Sequence, residues 1–219
     1  MKAGYAAWRA WVQCAVLGLM LAIAAPALAE SVAASAKTRT VLVVGDSLSA
    51  AYRMPTSQGW VALTEERIGK TRPNWRVVNA SVSGETTAGG RTRLDRELKR
   101  VKPDVVVIEL GANDGLRGLP LAQTRANLDA MVTAAKASGA RVLLIGMRLP
   151  PNFGGAYTKG FEENFRVVAE KHGVPLLPFL LEPIKTDRQA FQPDNLHPSA
   201  AAQPKLRDHV WPALEPLLR

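Results

Sequence analysis

The chain is expected to fold as an α/β protein around a central five-stranded parallel sheet with helices on both sides. Three observations lead there. Apolar runs alternate with amphipathic stretches along the chain. The central apolar runs are continuous, rich in Val, Ile and Leu, as in strands covered on both faces. Glycines stand where helices should stop before the next strand.

The elements follow in order. Thr40–Val44 is a β-branched apolar run and the first expected strand, and the pattern near Gln58–Gly69 predicts a helix after it. Trp75–Asn79 is the second strand and Thr87–Val101 the second helix. Asp104–Leu110 is the third strand, a nearly unbroken aliphatic run, followed by a helix over Leu121–Ser138 that Gly139 closes. Arg141–Gly146 is the fourth strand. A helix over Lys159–His172 ends at Gly173, Pro175–Pro178 is a short fifth strand, and Ser199–Leu218 is a last helical stretch. Strands separated by helices require crossover connections, which make the sheet parallel. No internal repeat is visible. At 219 residues the chain is long enough for one well-filled α/β domain.

The N-terminus reads as a processing signal. Lys2 and Arg9 give a positive start, Ala10–Ala25 is uncharged and mostly apolar, and Ala27-Leu28-Ala29 offers small residues for cleavage before Glu30. The expected division is a signal peptide over 1–29, a small and polar flexible lead-in over 30–38, and a single domain over 39–219. The apolar run is short for a membrane span, so no stable span is expected after processing. A periplasmic or secreted bacterial protein follows. Cys14, the one cysteine, leaves with the signal, which excludes both a disulfide and a thiol nucleophile in the processed chain.

Formal charge is +9, but Lys and Arg are interleaved with acids, as in Arg91–Arg100, and no basic stripe with aromatics appears. Nucleic acid is therefore not the expected partner. A solvated basic surface is, with attraction to anionic lipid or polyanionic envelope material the weaker alternative. No metal-ligand spacing, Walker loop or dinucleotide fingerprint is present, so neither metal nor cofactor is expected. With no heptads, a monomer is the expected state.

The chemistry lies beyond the carboxyl ends of the strands, where sites in such sheets form. The first strand breaks into Gly45-Asp46-Ser47-Leu48, and the chain later carries Asp194-Asn195-Leu196-His197. A serine in a tight turn needs a base to become nucleophilic, and an acid three residues before a histidine can orient that imidazole within one loop. Ser47, His197 and Asp194 thus become nucleophile, base and orienter, in the chain order Ser, Asp, His. Each has a plainer reading: Ser47 as a helix cap, Asp194 as a turn residue, His197 as a cap of the last helix. Their joint occurrence favours catalysis. His172 sits at a helix end beside Gly173, where a cation suits the dipole, and His209 falls within the last helical stretch. Gly84 and Asn113 follow the second and third strands and are candidate oxyanion donors, one through its backbone N–H and one through its side-chain amide. Alone they read as a loop kink and a plain turn. Leu116–Pro120 and Met147–Tyr157 are candidate walls of an apolar acyl groove, with Leu116, Leu149 and Pro150 the candidate substrate-binding residues.

Ser47, Gly84, Asn113 and His197, in that order and each on its own loop, resemble the SGNH, or GDSL, hydrolase family. Gly45-Asp46-Ser47-Leu48, Gly84, Gly111-Ala112-Asn113-Asp114 and Asp194-Asn195-Leu196-His197 match its four blocks, over a resemblance running from about Thr40 to the C-terminus. The stretches Ser49-Ala50 with Tyr52-Arg53-Met54, Val78–Thr86, Glu109–Gly118 and Arg148–Gly154 look like the periplasmic multifunctional thioesterase/protease/lysophospholipase subgroup and related arylesterases. Ala112 departs from that subgroup, which often has a second Gly there. The resemblance implies a three-layer α/β/α flavodoxin-like fold and hydrolysis of acyl esters, aryl esters, lysophospholipids and thioesters through an acyl-enzyme on Ser47. It also implies an oxyanion hole formed by the N–H groups of Ser47 and Gly84 and the Asn113 amide, with Asp46 a structural residue of the turn. The expected partner is a small acyl ester or thioester, lipids included. A carbohydrate O-deacetylase and a non-catalytic envelope binding protein are the alternatives.

Overall fold

The computed structural model describes residues 38–219, so the expected signal peptide (1–29) and most of the expected lead-in (30–38) lie outside the described residues. Five strands form one sheet: β1 (Arg39–Gly45), β2 (Trp75–Asn79), β3 (Val105–Glu109), β4 (Arg141–Ile145) and β5 (Leu176–Leu177). Every neighbouring pair is parallel, in the spatial order β2-β1-β3-β4-β5. That order is the flavodoxin-like one, and it reverses direction between β1 and β3, where a crevice opens at the carboxyl ends of the strands. Register aligns Val43 with Val107 and Gly45 with Glu109, which brings the loops after these two strands side by side.

The helices are α1 (Trp60–Thr71), α2 (Thr87–Val101), α3 (Ala112–Leu116), α4 (Leu121–Ala137), α5 (Gly155–His172) and α6 (Gln203–Leu214). α1 packs on α6, whereas α2, α4 and α5 pack in a row. β3 is buried at every residue, which explains its unbroken aliphatic sequence: neither face has water to meet. β2 is an edge strand and only its first residue is fully buried. Among the described residues no helix is long and apolar enough to cross a membrane.

The expected strands all form, and β2 and α2 match at both ends. The helices differ at their ends for local reasons. Thr56–Gln58 makes a separate 3-10 turn, so α1 begins at Trp60 rather than Gln58. α5 begins four residues earlier than its periodicity suggests, at Gly155, because the Tyr157 hydroxyl donates to the Leu119 carbonyl at 2.7 Å and ties down the first turn. The last helical stretch divides into a 3-10 turn at Ala200–Ala202, α6, and a second 3-10 turn at Glu215–Leu217. α3 was not expected from the sequence, where Asn113-Asp114-Gly115 reads as a turn. It is held by tertiary contact: the buried Asp114 carboxylate accepts from the Thr87 N–H at 2.8 Å and from the Thr87 hydroxyl. Gly173 closes α5 in the left-handed conformation at φ 61°, as its position predicts.

Candidate active site

The turn after β1 is built by its own aspartate. Asp46 Oδ1 accepts from the Leu48 N–H at 3.0 Å, and the Asp46 carbonyl accepts from the Ala50 N–H at 2.9 Å, so the chain winds tightly around Ser47. Gly45 has to be glycine. A Cβ there would lie 2.8 Å from Ser49 Oγ and 2.9 Å from Glu109 Oε2. β3 delivers Glu109, Gly111 and Asn113 beside this turn, Gly111 at φ 125°.

His197 arrives on a loop closed by Phe191 and Pro198, which bridge in antiparallel fashion, and by the Gln192 N–H donating to the His197 carbonyl at 2.7 Å. Asn195 takes the left-handed conformation at φ 55°, turning the chain between the acid and the histidine. Asp194 Oδ1 accepts from the N–H groups of Leu196 and His197, each at 3.0 Å, and Oδ2 lies 2.9 Å from His197 Nδ1. Burial tends to raise the Asp194 carboxyl, but those two N–H groups and the imidazole outweigh it and hold the group at about 2. Facing a carboxylate, Nδ1 carries the ring proton and Nε2 is the acceptor. Ser47 Oγ lies 2.8 Å from Nε2. The hydroxyl, imidazole and carboxylate therefore form one hydrogen-bonded line across 150 residues of sequence. His172 and His209 do other work, pairing with Asp129 at 2.8 Å and with the Phe179 carbonyl at 3.0 Å.

Three residues that sequence reasoning gave no role complete this arrangement. The Tyr52 ring packs on the His197 ring with centroids 4.3 Å apart. Gln192 Nε2 donates to the Tyr52 carbonyl at 2.9 Å and ties the serine loop to the histidine loop. Glu109 is fully buried beneath the serine turn, where Oε2 accepts from the Ser49 hydroxyl at 2.7 Å and Oε1 has no partner among the described residues. Burial, reinforced by the Asp46 charge, raises the Glu109 carboxyl well above its ordinary value against the opposing hydrogen bonds of Ser49 and the Asp46 N–H. Burial likewise pushes the Asp46 carboxyl up to about 6. A carboxylic acid closing an otherwise aliphatic strand was the available signal for Glu109.

Gly84 takes φ 80°, and its N–H, like that of Ser47, makes no hydrogen bond to another described residue. The Asn113 amide nitrogen donates to Asp46 Oδ2 at 3.2 Å and to the Glu85 carbonyl at 3.0 Å. Both Gly84 and Asn113 line the same cavity as Ser47 and His197, a space of about 650 Å³. Leu116, Leu149 and Pro150 line it as well. Of the two expected walls, Met147–Tyr157 contributes its first five residues, 147–151, and not 152–157, while the first contributes Leu116 and not the residues up to Pro120. A third wall, which the sequence did not suggest, comes from Phe179, Leu181, Lys185, Thr186 and Phe191. The cavity is thus mostly apolar, with Ser47, Asn113 and His197 among its fewer polar groups, a form suited to an acyl chain attached to a polar reacting group.

The profile of the GDSL-like lipase/acylhydrolase family matches residues 43–203. The chain is similar to Esterase TesA of Pseudomonas aeruginosa, with 50% identity over 183 residues, 84% of this chain and 91% of that one. It is 41% identical over 184 residues to thioesterase 1/protease 1/lysophospholipase L1 of Escherichia coli, covering 84% and 87% of the two chains. Among solved structures, the crystal structure of TesA superposes with a TM-score of 0.80 over 82% of this chain and 100% of that one.

Proposed function

This chain belongs to the GDSL-like lipase/acylhydrolase family and is a hydrolase of carboxylic esters and thioesters, and we propose that Ser47, His197 and Asp194 carry the reaction through an acyl-enzyme. The observation that supports this most is the 2.8 Å approach of Ser47 Oγ to His197 Nε2, with Asp194 behind Nδ1 at 2.9 Å. Ser47 Oγ attacks the acyl carbonyl carbon as its proton passes to Nε2. The carbonyl electrons collect on oxygen, held by the Ser47 and Gly84 N–H groups. The tetrahedral species collapses, the bond to the leaving alcohol or thiol breaks, and Nε2 returns the proton to that group. Water then gives a proton to Nε2 and attacks the acyl carbonyl; the bond to Ser47 Oγ breaks, Nε2 returns the proton to Oγ, and the carboxylic acid leaves with Ser47 and His197 as they began. Asp194 keeps the ring in the productive tautomer and stabilises the imidazolium.

Asn113 joins the oxyanion hole by turning one amide hydrogen from Asp46 toward the substrate. The 3.2 Å contact to Asp46 is the longer of its two hydrogen bonds, so it is the one exchanged. Leu116, Leu149 and Pro150 hold the acyl chain. The leader at 1–29 supports export to the periplasm and release of a processed chain beginning at Glu30. Esters of the envelope, lysophospholipids among them, are then the accessible substrates.

The test is turnover of a p-nitrophenyl ester series by the wild-type chain and by Ser47→Ala, with fluorophosphonate labelling read by mass spectrometry. Ser47→Ala should lose at least about a thousandfold in turnover while its far-UV circular dichroism is unchanged. Label on any residue other than Ser47 would refute the assignment.

A further inference from the structure

The cavity opens through a rim with two properties that acyl transfer does not need. The first is apolar exposure. Val82 and Leu196 are the exposed large hydrophobic side chains among the described residues, at 49% and 40%, and both stand at this rim. Val82 directly precedes Ser83 and Gly84, which line the cavity, and Leu196 lines it from the histidine loop. Together with the apolar interior they make an opening bordered by aliphatic groups on two sides.

The second property is charge. Arg117 Nη2 donates to the Gly84 carbonyl at 3.1 Å, on the Val82 side. Arg53 lies over the Tyr52 ring at 5.1 Å, and that ring lines the cavity and packs against His197. Both arginines are exposed, and neither has a carboxylate partner among the described residues. The remaining cations of the rim are compensated. Arg148 pairs with Glu162 at 3.1 Å and Glu182 at 3.3 Å, and Lys185 pairs with Glu182 at 2.5 Å. Asp194 is turned to His197. The uncompensated charge at the mouth is therefore positive, on a chain whose formal charge is +9.

We propose that this rim docks on an anionic lipid bilayer, with Val82 and Leu196 entering the headgroup–acyl boundary and Arg53 and Arg117 meeting anionic headgroups. Aliphatic side chains flanked by basic ones are the pattern that binds such a surface. The inference rests on the acyl-ester reading of the same site and narrows its substrate to acyl lipids carried by a membrane. Docked this way, the cavity faces the bilayer and takes up a single acyl chain without that chain crossing bulk water.

The experiment is co-sedimentation of the full chain with vesicles of phosphatidylcholine alone and of phosphatidylcholine mixed with phosphatidylglycerol, at low and high salt. Wild type, Val82→Ser, Arg53→Gln and the double variant are compared, with turnover of a short water-soluble ester measured alongside. The wild-type chain should prefer the anionic vesicles and be released by salt. Each single variant should bind them about fivefold more weakly, and the double variant about twentyfold or more. Soluble-ester turnover should be the same in all four proteins, because neither side chain touches the reacting groups. A leader retained on the chain adds the same increment to every protein, so the ratios carry the test. Equal binding to both vesicle types, or variants that bind as wild type does, overturns the proposal. So does salt-sensitive retention on a sulfated polysaccharide with no response of vesicle binding to Val82→Ser, which would make the rim a polyanion site. Absence of soluble-ester turnover in the wild-type chain is a separate result that defeats the acyl-transfer reading.

Discussion

The substitution Asp46→Asn tests whether the serine turn stands on a buried carboxyl that resists ionisation. Asp46 has no exposed surface. Burial is the largest influence on its carboxyl, the charges of Asp114 and Glu85 add to it, and the Leu48 N–H and Asn113 amide oppose it. The outcome is a rise from 3.8 to about 6. In the unfolded chain an aspartate ionises near 3.9, so the difference is about two pH units, or about 3 kcal/mol. The sign follows from proton binding. The folded state holds this proton more tightly than the unfolded state does. The associated stability is therefore complete below about pH 4 and is lost as pH rises through about 6. The amide of the Asp46→Asn variant has no proton to lose. Urea unfolding of both proteins at about pH 4 and about pH 8 should show the wild type losing about 3 kcal/mol relative to the variant between the two conditions. A stability gap that is the same at both pH values would refute the reasoning. Catalysis supplies a second readout. The new amide must still offer its oxygen to the Leu48 N–H, which turns its NH2 group against the Asn113 amide. Ester turnover should fall about tenfold or more at either pH, while Ser47 remains reactive enough to label.

The depressed Asp194 carboxyl has the opposite sign. Held at about 2, it contributes stability above about pH 4 that is lost as pH falls toward 2, about 1–2 kcal/mol after allowance for a side chain that is 29% exposed. Asp194→Asn should show that loss in urea unfolding at neutral pH and lower kcat by about 10³–10⁴-fold; a variant retaining near-normal kcat removes Asp194 from the mechanism. Tyr52→Leu removes an aromatic contact of about 0.5–1.5 kcal/mol that fixes the His197 ring. Ester kcat/KM and the fluorophosphonate labelling rate should both fall about two- to tenfold, with Tyr52→Phe close to wild type, and rates unchanged in Tyr52→Leu would show that the ring position does not depend on this contact.

Much of the fold is legible locally. The aliphatic run before Gly45, the nearly unbroken one before Leu110 and the helix-stopping Gly173 each express a preference that tertiary packing then endorses. Where the reading slipped, a distant residue intervened. α3 depends on Thr87 reaching Asp114, and the early start of α5 depends on Tyr157 reaching Leu119. The third wall of the cavity, from Phe179 to Phe191, has no periodicity and no motif. It becomes a wall because the loops after β5 return past the end of β4.

The order Ser47, Asp194, His197 is written in the sequence, because each residue type at those spacings has few other uses in combination. The sequence also specifies an Asx turn, a strand buried on both faces and an acid next to the histidine it can orient. What the chain order does not contain is distance. Only the parallel sheet, reversing between β1 and β3, brings residue 47 to within 2.8 Å of residue 197. Only the tertiary surroundings decide that the Asp46 and Glu109 carboxyls are raised above their ordinary values while that of Asp194 is lowered, since the same carboxyl group ionises according to the water, charges and N–H groups around it. Composition and spacing name the reacting groups, whereas their alignment and charge states come from long-range contacts that no local stretch of chain encodes.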